Sequence, residues 1–506
     1  MTRHRVVLDS THCGATAVER STVPADSSSM SPLASRAGGR RKESHRGARQ
    51  LLIRATIGRS WKLATILAAF STVALAVDGV PDPTFGGGDG FASFEFFPAS
   101  PKDEWGRCVA TDPGGRLVAA GGLKWSSTDW DFGISRLLPD GSLDPSYGVL
   151  GTQYVFFDPL PATSYDEARG VAVDAQGRAW VVGKTSPASD PNDVNFAFVR
   201  LTASGAVEPG SQFTYDSGVP DTFGQDIVLV SATRAFVAGQ FGDYPGLFRI
   251  DDNGVTFATL YVFPTYSDGI LTAIAAQSDG KLVAAGWARY SVNPQDLDLV
   301  VVRVDQDLQL DPSFGVGGVF TFNTTHANPN DVGSDVIVLG DGRIIVAYTL
   351  DDSLDRYASL VALSSSGALL GAFNPASPSA RWFNVLGAPG SSIFADPHLA
   401  GLSDGSFVVG SSVDVLGTES WRFRRLRPVP GQPQFFEIDP TFGNVGNADV
   451  ASFGLQGLTL DGGRPVAVGY YPDVTDDFVL VRLAANLLFS DGFESSSTSS
   501  WSRVGP

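Results

Sequence analysis

Short apolar runs bounded by turn residues recur along this chain from about residue 78 to residue 486. One segment occurs seven times, as GGRLVAAG ending at Gly121, QGRAWVVG at Gly183, ATRAFVAG at Gly239, DGKLVAAG at Gly286, DGRIIVAY at Tyr348, DGSFVVGS at Ser411 and GGRPVAVG at Gly469. The third residue of the segment is basic in six copies and Ser406 in the other, and successive copies are 62, 56, 47, 62, 63 and 58 residues apart. Self-similarity at a fixed period indicates a repeat architecture, here with seven units averaging 58 residues.

Each unit predicts four β-strands. In the fifth unit they are 319–322, 335–339, 343–349 and 357–363, and the Asp341-Gly342 pair predicts a two-residue hairpin turn. A second motif follows the fourth strand: LDPSYG from Leu143 matches LDPSFG from Leu310, and DPTFG occurs at Asp82 and again at Asp439. Because Pro fixes φ and Gly ends the turn, this motif predicts a rigid connector between units.

Tandem four-stranded units of this length favour radial closure over a solenoid, whose coils need about 20–30 residues. We therefore predict an all-β fold, a seven-bladed β-propeller of four-stranded antiparallel blades. The repeat pattern begins with a connector motif and the predicted strand 91–96, and it ends with the predicted fourth strand 478–483 of the last unit. If the N-terminal strand completes the last blade, the ring closes and no sheet edge is left exposed.

The motifs DPSFG, VAVxxDGRxxVAG and DFxxxRLxxDGxLD resemble the delta-60 repeat family of exported bacterial proteins. The resemblance covers residues 78 to about 486 and implies that the repeats form a β-propeller. The family has no established activity or catalytic residue that the resemblance would imply for this chain. The shortened fourth unit, Ser406 in the sixth and Ala362 in the fifth depart from the pattern.

Charge is distributed unevenly along the chain. Residues 1–76 contain 12 Lys/Arg and 4 Asp/Glu, so the remaining residues carry a net charge of −26 within the total of −18. A body this acidic repels phosphate backbones and anionic membrane surfaces, so we expect no nucleic-acid partner.

An apolar run, WKLATILAAFSTVALA, covers residues 61–76 and follows Arg54 and Arg59. With the small-x-small sequence at 74–76, it predicts a signal peptide over 51–76, cleaved before Val77, and no membrane span in the mature chain. The alternative is a membrane anchor that is retained. Residues 1–50 predict a disordered leader or a start assigned too far upstream, 77–486 the propeller, and 487–506 a Ser/Thr-rich tail. We expect an exported protein of the periplasm, cell surface or extracellular space, and a monomer.

Side-chain chemistry excludes several classes of site. The chain after residue 76 has one cysteine, Cys108, and two histidines, His326 and His398, so a disulfide framework and His-rich zinc sites are excluded. No nucleophile elbow, Rossmann fingerprint or phosphate-binding loop is present. We predict Cys108 to be a small apolar residue of an inner strand.

The loops after the first and third strands of each unit share one face of the ring, and they vary more than the turns on the other face. We call these the variable face and the repetitive face. The variable face carries the candidate ligand-binding residues Glu104, Trp105, Trp125, Asp129, Trp130, Asp131, Tyr165, Asp166, Asp268, Trp287, Asp296, Asp298 and Asp331. Carboxylates here could ligate Ca²⁺ or cap turns, and aromatic rings beside them suit a glycan. We predict capping, and no cofactor other than a conceivable Ca²⁺.

A basic residue recurs in the fourth strand of six units, as Arg136, Arg200, Arg249, Arg303, Arg425 and Arg482. Strand alternation places it against an interface, where a charge needs a partner. We predict structural pairs of Arg136 with Asp144 and Arg303 with Asp311, or of each arginine with the equivalent Asp of an adjacent blade. The resulting hypothesis is a non-enzymatic scaffold that presents loops to a glycan or another surface protein, with a carbohydrate-active hydrolase or lyase as the alternative.

Overall fold

A computed structural model gives the structure, and it describes residues 78–96, 103–126, 129–157, 164–186, 190, 193–219, 221–251, 254–259, 266–290, 296–323, 330–351, 355–371, 373, 381–382, 384–387, 392–415, 418–450, 453–472 and 476–485. The predicted leader (1–50), signal peptide (51–76) and tail (487–506) lie outside the described residues, as does His326. The regular structure within these ranges is all β.

The strands form seven antiparallel sheets, the blades. Blade 1 contains β2 (Glu104–Thr111), β3 (Leu117–Ser126), β4 (Asp129–Leu137) and β5 (Thr152–Val155). Blade 2 contains β6 (Glu167–Val173), β7 (Ala179–Thr185), β8 (Asn195–Leu201) and β9 (Phe213–Tyr215). Blade 3 contains β10 (Phe223–Ser231), β11 (Arg234–Phe241), β12 (Tyr244–Asp251) and β13 (Gly254–Thr259). Blade 4 contains β14 (Tyr266–Ala276), β15 (Leu282–Tyr290), β16 (Leu297–Val304) and β17 (Val319–Phe322).

The other three blades differ in their outer strands. Blade 5 contains β18 (Asn330–Val338), β19 (Ile344–Asp351), β20 (Arg356–Leu363) and β21 (Arg381–Trp382). Blade 6 contains β22 (Ser392–Ile393), β23 (His398–Gly401), β24 (Phe407–Val415), β25 (Thr418–Val429), β26 (Gln432–Ile438) and β27 (Ala448–Val450). Blade 7 contains β28 (Phe453–Asp461), β29 (Arg464–Pro472), β30 (Asp476–Arg482) and the first strand of the chain, β1 (Phe91–Phe94).

The predicted seven-bladed propeller is confirmed. Its innermost strands, β2, β6, β10, β14, β18, β23 and β28, contact one another in sequence, and β28 contacts β2. Seven apolar clusters occupy the seven interfaces between successive blades, including the interface of blade 7 with blade 1. The core is therefore divided among the interfaces because both faces of every sheet are covered by neighbours.

Repeat unit and blade are offset by one strand. The predicted first strand of the fifth unit, β17, pairs with β16 and belongs to blade 4. In the same way β1 pairs antiparallel with β30, with Phe91 opposite Val481 and Phe94 opposite Phe478. This pairing is what the predicted closure by the N-terminal strand requires.

In blade 5 the hairpin turn between the first two strands is longer than predicted. In blade 5 the backbone N–H of Leu339 donates to the carbonyl of Arg343 at 2.8 Å, which encloses a three-residue loop rather than a two-residue one. Gly342 has a φ of 84°, in the left-handed region that a three-residue hairpin needs at its last position. The two-residue expectation was wrong because Asp-Gly is compatible with both loop lengths.

The repeated arginine holds the connector, and the predicted pairs are present. Nε of Arg136 donates to Oδ2 of Asp144 at 2.9 Å, and Nη2 of Arg303 lies 2.9 Å from Oδ2 of Asp311. The guanidinium of Arg136 also lies 4.5 Å from the ring centroid of Tyr147 in the same connector. Charge pairing and ring contact together fix the connector against the blade.

The same arginines reach the next blade. Arg136 donates to the carbonyl of Ala203 in blade 2, and Arg303 donates to the carbonyl of Ser365 in blade 5. Arg482 of blade 7 donates to the carbonyl of Pro139 in blade 1, while its Nε donates to Asp82 at 2.8 Å. Each of these arginines therefore bridges its own connector and the following blade.

Candidate functional site

A β-bulge interrupts the innermost strand of six blades at one equivalent position. The residues skipped in the pairing register are Arg107, Arg169, Gln225, Thr272, Ser334 and Gln456. A bulge leaves its extra residue unpaired and re-aims its side chain. The described pairing of blade 6 has no bulge at this place, and its innermost strand β23 begins with His398, which pairs with Gly410.

The repeated terminal glycine of the sequence segment lies beside the bulge in five blades, whereas in blade 5 Tyr348 holds this position and pairs with Gly333. A Cβ added to Gly121 would lie 1.9 Å from the carbonyl oxygen of Trp105, and one added to Gly183 would lie 2.0 Å from that of Glu167. Gly239 and Gly286 are equally crowded, with 2.0 Å to a carbonyl oxygen of the strand beside them. The innermost strand can approach its neighbour this closely only where a side chain is absent.

The bulge residues and His398 line one cavity of about 400 Å³ between the innermost strands. Asn330, Asp351, Arg356 and Glu419, at strand ends of the variable face, line the same cavity. We call it the axial cavity. Its volume lies in the range of about 300–1,000 Å³ that is usual for small-molecule sites.

One side of the axial cavity is cationic and belongs to blades 1 and 2. Oε1 of Glu167 accepts from Nε of Arg107 at 2.7 Å, and Oε2 accepts from Nε of Arg169 at 3.1 Å. Lys184 lies 3.5 Å from the same carboxylate. Burial by itself raises the pKa of Glu167, but the three cations outweigh it and lower that pKa well below its usual range. Three cations around one carboxylate leave a net charge of +2 on this side.

Both arginines also hold an amide side chain of a neighbouring blade. Nη1 of Arg107 donates to Oε1 of Gln456 at 2.6 Å, and Nη1 of Arg169 donates to Oε1 of Gln225 at 3.0 Å. The planar guanidinium groups are therefore fixed in position around the axis. We call Arg107 and Arg169 the cationic wall.

The opposite side is acidic and belongs to blades 5 and 6. Asp351, Asp396 and Glu419 line the cavity there with one arginine, Arg356. Oδ1 of Asp396 accepts from Arg356 at 2.9 Å and from the hydroxyl of Thr349 at 2.8 Å. Three carboxylates against one guanidinium give this side a net charge of −2. We call the three carboxylates the acidic wall.

Titration behaviour in the acidic half follows from burial. Burial raises the pKa of Glu419, and the neighbouring charge of Asp414, its cross-strand partner, raises it further. Burial lowers the pKa of His398 to about 4, so this imidazole is neutral at pH 7 although its Nδ1 lies 3.9 Å from Oδ2 of Asp335.

Two carboxylates next to bulges tie neighbouring blades together. Asp226 accepts from the backbone N–H of Ile274 at 2.9 Å, and Asp335 accepts from that of Leu399 at 2.7 Å. Burial raises the pKa of Asp226 to about 6 and that of Asp335 to about 7. Because each carboxylate belongs to one blade and its donor to the next, the two carboxylates hold neighbouring blades together. This is a structural role.

Most of the acidic candidates lie in strands rather than in loops. Buried at the variable-face ends of strands or directly before them are Glu104, Asp129, Asp131, Asp166, Asp298 and Asp331. The strands are longer than predicted, so positions expected in solvent-facing loops are covered by neighbouring blades. Glu104 accepts the backbone N–H of Phe96 through both oxygens at 3.0 Å, and Asp166 accepts that of Phe157 at 3.3 Å. By accepting these backbone N–H groups, the two carboxylates cap the segments that connect one blade to the next.

The other two acidic candidates, Asp268 and Asp296, make side-chain contacts at the edge of blade 4, and Asp298 shares one of them. Asp268 pairs with Arg289 at 2.9 Å, and Asp296 and Asp298 both accept from the amide of Asn323, at 3.1 and 2.5 Å. These three carboxylates belong to blade 4 and its edge, outside the lining of the axial cavity.

The aromatic candidates fall into three places. Trp105, Trp130 and Tyr165 form a stack over blades 1 and 2, with ring centroids 4.1 and 5.8 Å apart. The indole N–H of Trp105 donates to Glu167 at 3.1 Å, which links this stack to the cationic wall. Trp125 instead packs against Tyr154 and Phe156 of blade 1. Of the predicted site residues only Trp287 lines the axial cavity.

Sequence reasoning missed the bulge residues, although two signals mark them. The bulge position is polar in all six units that have the bulge and changes identity, as Arg107, Arg169, Gln225, Thr272, Ser334 and Gln456. The terminal glycine of the repeated segment is the second signal, because it lies beside the bulge in five of the six bulged blades.

No group of three or more His, Cys, Asp or Glu side chains that could hold a metal ion occurs among the described residues. In the same part of the chain no helix is long and apolar enough to cross a membrane.

Comparison with protein families gives a β-propeller match. A family described as "Domain of unknown function (DUF5122) beta-propeller" matches residues 113–147 and 277–314, each spanning the end of a hairpin turn and the connector that follows it. The fold and these matches together define a β-propeller repeat protein. No curated protein matches the chain.

Solved structures of several kinds are similar to the chain at low identity. Trypanosoma rangeli sialidase is 10% identical with a TM-score of 0.39, over 80% of this chain and 59% of that one. An intramolecular trans-sialidase from Ruminococcus gnavus is 10% identical with a TM-score of 0.37, over 76% and 95%. A calcium-binding protein, regucalcin, from Agrobacterium tumefaciens is 12% identical with a TM-score of 0.34, over 62% and 90%. Similarities of this size carry no argument about what this chain binds.

Proposed function

We propose that this chain is an exported, non-enzymatic propeller of the delta-60 repeat type that binds a small polar ligand in the axial cavity, through the variable face. The observation that carries the proposal is the ring of bulges. The backbone device is repeated in six blades, whereas the side chain it presents changes from blade to blade. A purely structural position would keep its side chain, as the repeated arginine does.

The lining of the axial cavity supports the same function. The cavity combines fixed polar groups, such as the guanidinium of Arg169, with apolar and aromatic lining, such as Leu297 and Phe394. Small-molecule sites are usually concave and largely apolar, with a few placed polar groups that set specificity. The variable face then serves as the entrance, and a glycan or a surface protein is a partner of its outer loops.

The test compares the full-length wild type with variants in which a larger side chain fills the axial cavity, each with a panel of ligands. Neutral sugars, organic acids, amines and amino acids are added singly, and the thermal midpoint is measured. A ligand that binds the native state raises the midpoint by linkage. We expect at least one class to raise it in the wild type and to have no effect on Thr272→Trp, whose indole would occupy the cavity. Gln225→Trp serves as a second filled variant.

A matched control places the same side chain elsewhere. Val316 is 88% exposed in a connector on the repetitive face, so Val316→Trp should bind the ligand as the wild type does. The proposal fails if no class shifts the wild type, or if the filled variants respond as strongly as the control.

One observation favours the alternative, a carbohydrate-active hydrolase. Glu419 and Asp351 line the same cavity, and the pKa of Glu419 is raised, as a general acid requires. Hydrolysis of aryl glycosides by the wild type, abolished in Glu419→Gln, would replace the binding proposal with this one. We expect no turnover.

A further inference from the structure

The charges of the axial cavity are separated across its axis. The cationic wall belongs to blades 1 and 2, and the acidic wall belongs to blades 5 and 6. In a ring of seven, blade 5 stands three places from blade 1, and blades 5 and 6 stand three places from blade 2, which is the greatest separation the ring allows, while blades 1 and 6 stand two places apart. A net positive side therefore faces a net negative side over the width of one small-molecule site.

Apolar side chains line both flanks between the walls, beside polar ones such as Thr272 and Gln456. Trp287 and Leu297 of blade 4 line one flank, and Leu455 and Tyr470 of blade 7 line the other. Because protein surrounds the cavity, the local dielectric is lower than that of water, so charges on the two walls act more strongly on a bound molecule than they would in solvent. His398, which is neutral at pH 7, does not offset the acidic wall.

We propose that the axial cavity binds a small zwitterion, with its anionic group on the cationic wall and its cationic group on the acidic wall. This inference rests on the proposed ligand-binding function and names the ligand class. Paired guanidinium groups are suited to a carboxylate, and an ammonium group offers three donors to surrounding carboxylates. A ligand with a single charge would leave one wall facing an apolar or like-charged group, which costs binding energy.

The probes are ω-amino carboxylic acids of increasing chain length, each compared with the carboxylic acid and the alkylamine of the same length. Isothermal titration calorimetry on the full chain measures each dissociation constant. We expect one length of ω-amino acid to bind at least about tenfold more tightly than either single-charge analogue. The best length reports the separation of the two walls.

Two variants test which wall binds which charged group of the zwitterion. Arg169→Gln should weaken the zwitterion at least about tenfold and leave the alkylamine unchanged. Glu419→Gln should weaken the zwitterion and leave the carboxylic acid unchanged. Because Arg169 also holds Glu167 and Gln225, its variant could lose the fold, and Glu419→Gln then carries the test alone. The matched control is Asp307→Asn, whose carboxylate is 83% exposed outside the cavity.

Three outcomes overturn the inference. They are an analogue with one charge that binds as tightly as the zwitterion, a zwitterion whose affinity is unchanged in Glu419→Gln, and the absence of binding by every ω-amino acid. If a neutral sugar or a simple anion is instead the ligand excluded by Thr272→Trp, the proposed function stands and only the zwitterion assignment fails.

Discussion

Replacing Arg482 with Ala should strongly destabilise the protein, because this side chain joins both ends of the described chain. Nε of Arg482 donates to Asp82, 400 residues away in sequence, and Nη1 donates to Asp461, each at 2.8 Å. Nη2 donates to the hydroxyl of Thr84 at 3.0 Å, and the guanidinium lies 4.6 Å from the ring centroid of Phe85. Its side chain is 1% exposed.

The magnitude follows from what the variant leaves behind. Removing one partner of a buried ion pair costs about 3–5 kcal/mol because the other charge is stranded. Here two carboxylates, 5% and 6% exposed, lose their buried partner. Arg464 still lies 3.2 Å from Asp82 and 2.8 Å from Asp461, so we expect the lower end, about 3 kcal/mol.

The assay is urea unfolding of the wild type, Arg482→Ala, Asp82→Ala and the double variant. We expect a coupling energy of about 1–3 kcal/mol between the two positions, since they share one network. Hydrogen exchange should also show loss of protection at Phe91–Phe94, which would test whether β1 closes the ring.

A matched control separates burial from pairing as such. Arg422 pairs with both oxygens of Asp449, at 2.6 and 2.9 Å, but that carboxylate is 45% exposed. Arg422→Ala should cost about 1 kcal/mol or less. The reasoning is refuted if Arg482→Ala costs no more than this control.

Three further predictions concern pH, metal and processing. Because the pKa of Asp335 is raised to about 7, the native state keeps a proton that the unfolded state releases near pH 4, so stability should fall as pH rises from about 4 to about 7. Denaturation midpoints measured against pH should show a smaller slope for Asp335→Asn than for the wild type. An unchanged slope would contradict this prediction. A chelator should leave the thermal midpoint unchanged if the acidic residues of the variable face only cap and pair, whereas a large drop would mean that Ca²⁺ stabilises the ring. N-terminal sequencing of the exported protein should begin at Val77 or within a few residues, and a mature terminus upstream of Trp61 would contradict the signal peptide.

The features that the sequence predicted well are those repeated at short range. Arg136 and Asp144 are eight residues apart, and the same spacing separates Arg303 from Asp311. Their pairing depends only on one strand and the connector that follows it, so a repeated pattern was enough to predict it.

The cavity was harder to predict because it is made by contacts between blades. Whether Arg107 faces the axis depends on a bulge, which adds one residue to the strand and so shifts the alternation of side chains by one position. Likewise Asp129 and Asp131 look like loop carboxylates in the sequence, yet neighbouring strands bury them. Strand length and bulge position depend on the packing of adjacent blades, which a single unit does not encode.

The pairing of β1 with β30 has a consequence for folding during synthesis. Because a chain is made from its N-terminus, β1 is present long before β30. Until β30 has been made, β1 is a strand without its partner and offers an open edge that could pair with another molecule. Assembly of the last blade therefore depends on completion of the whole repeat region, so a chain truncated before β30 would be both incomplete and prone to aggregate.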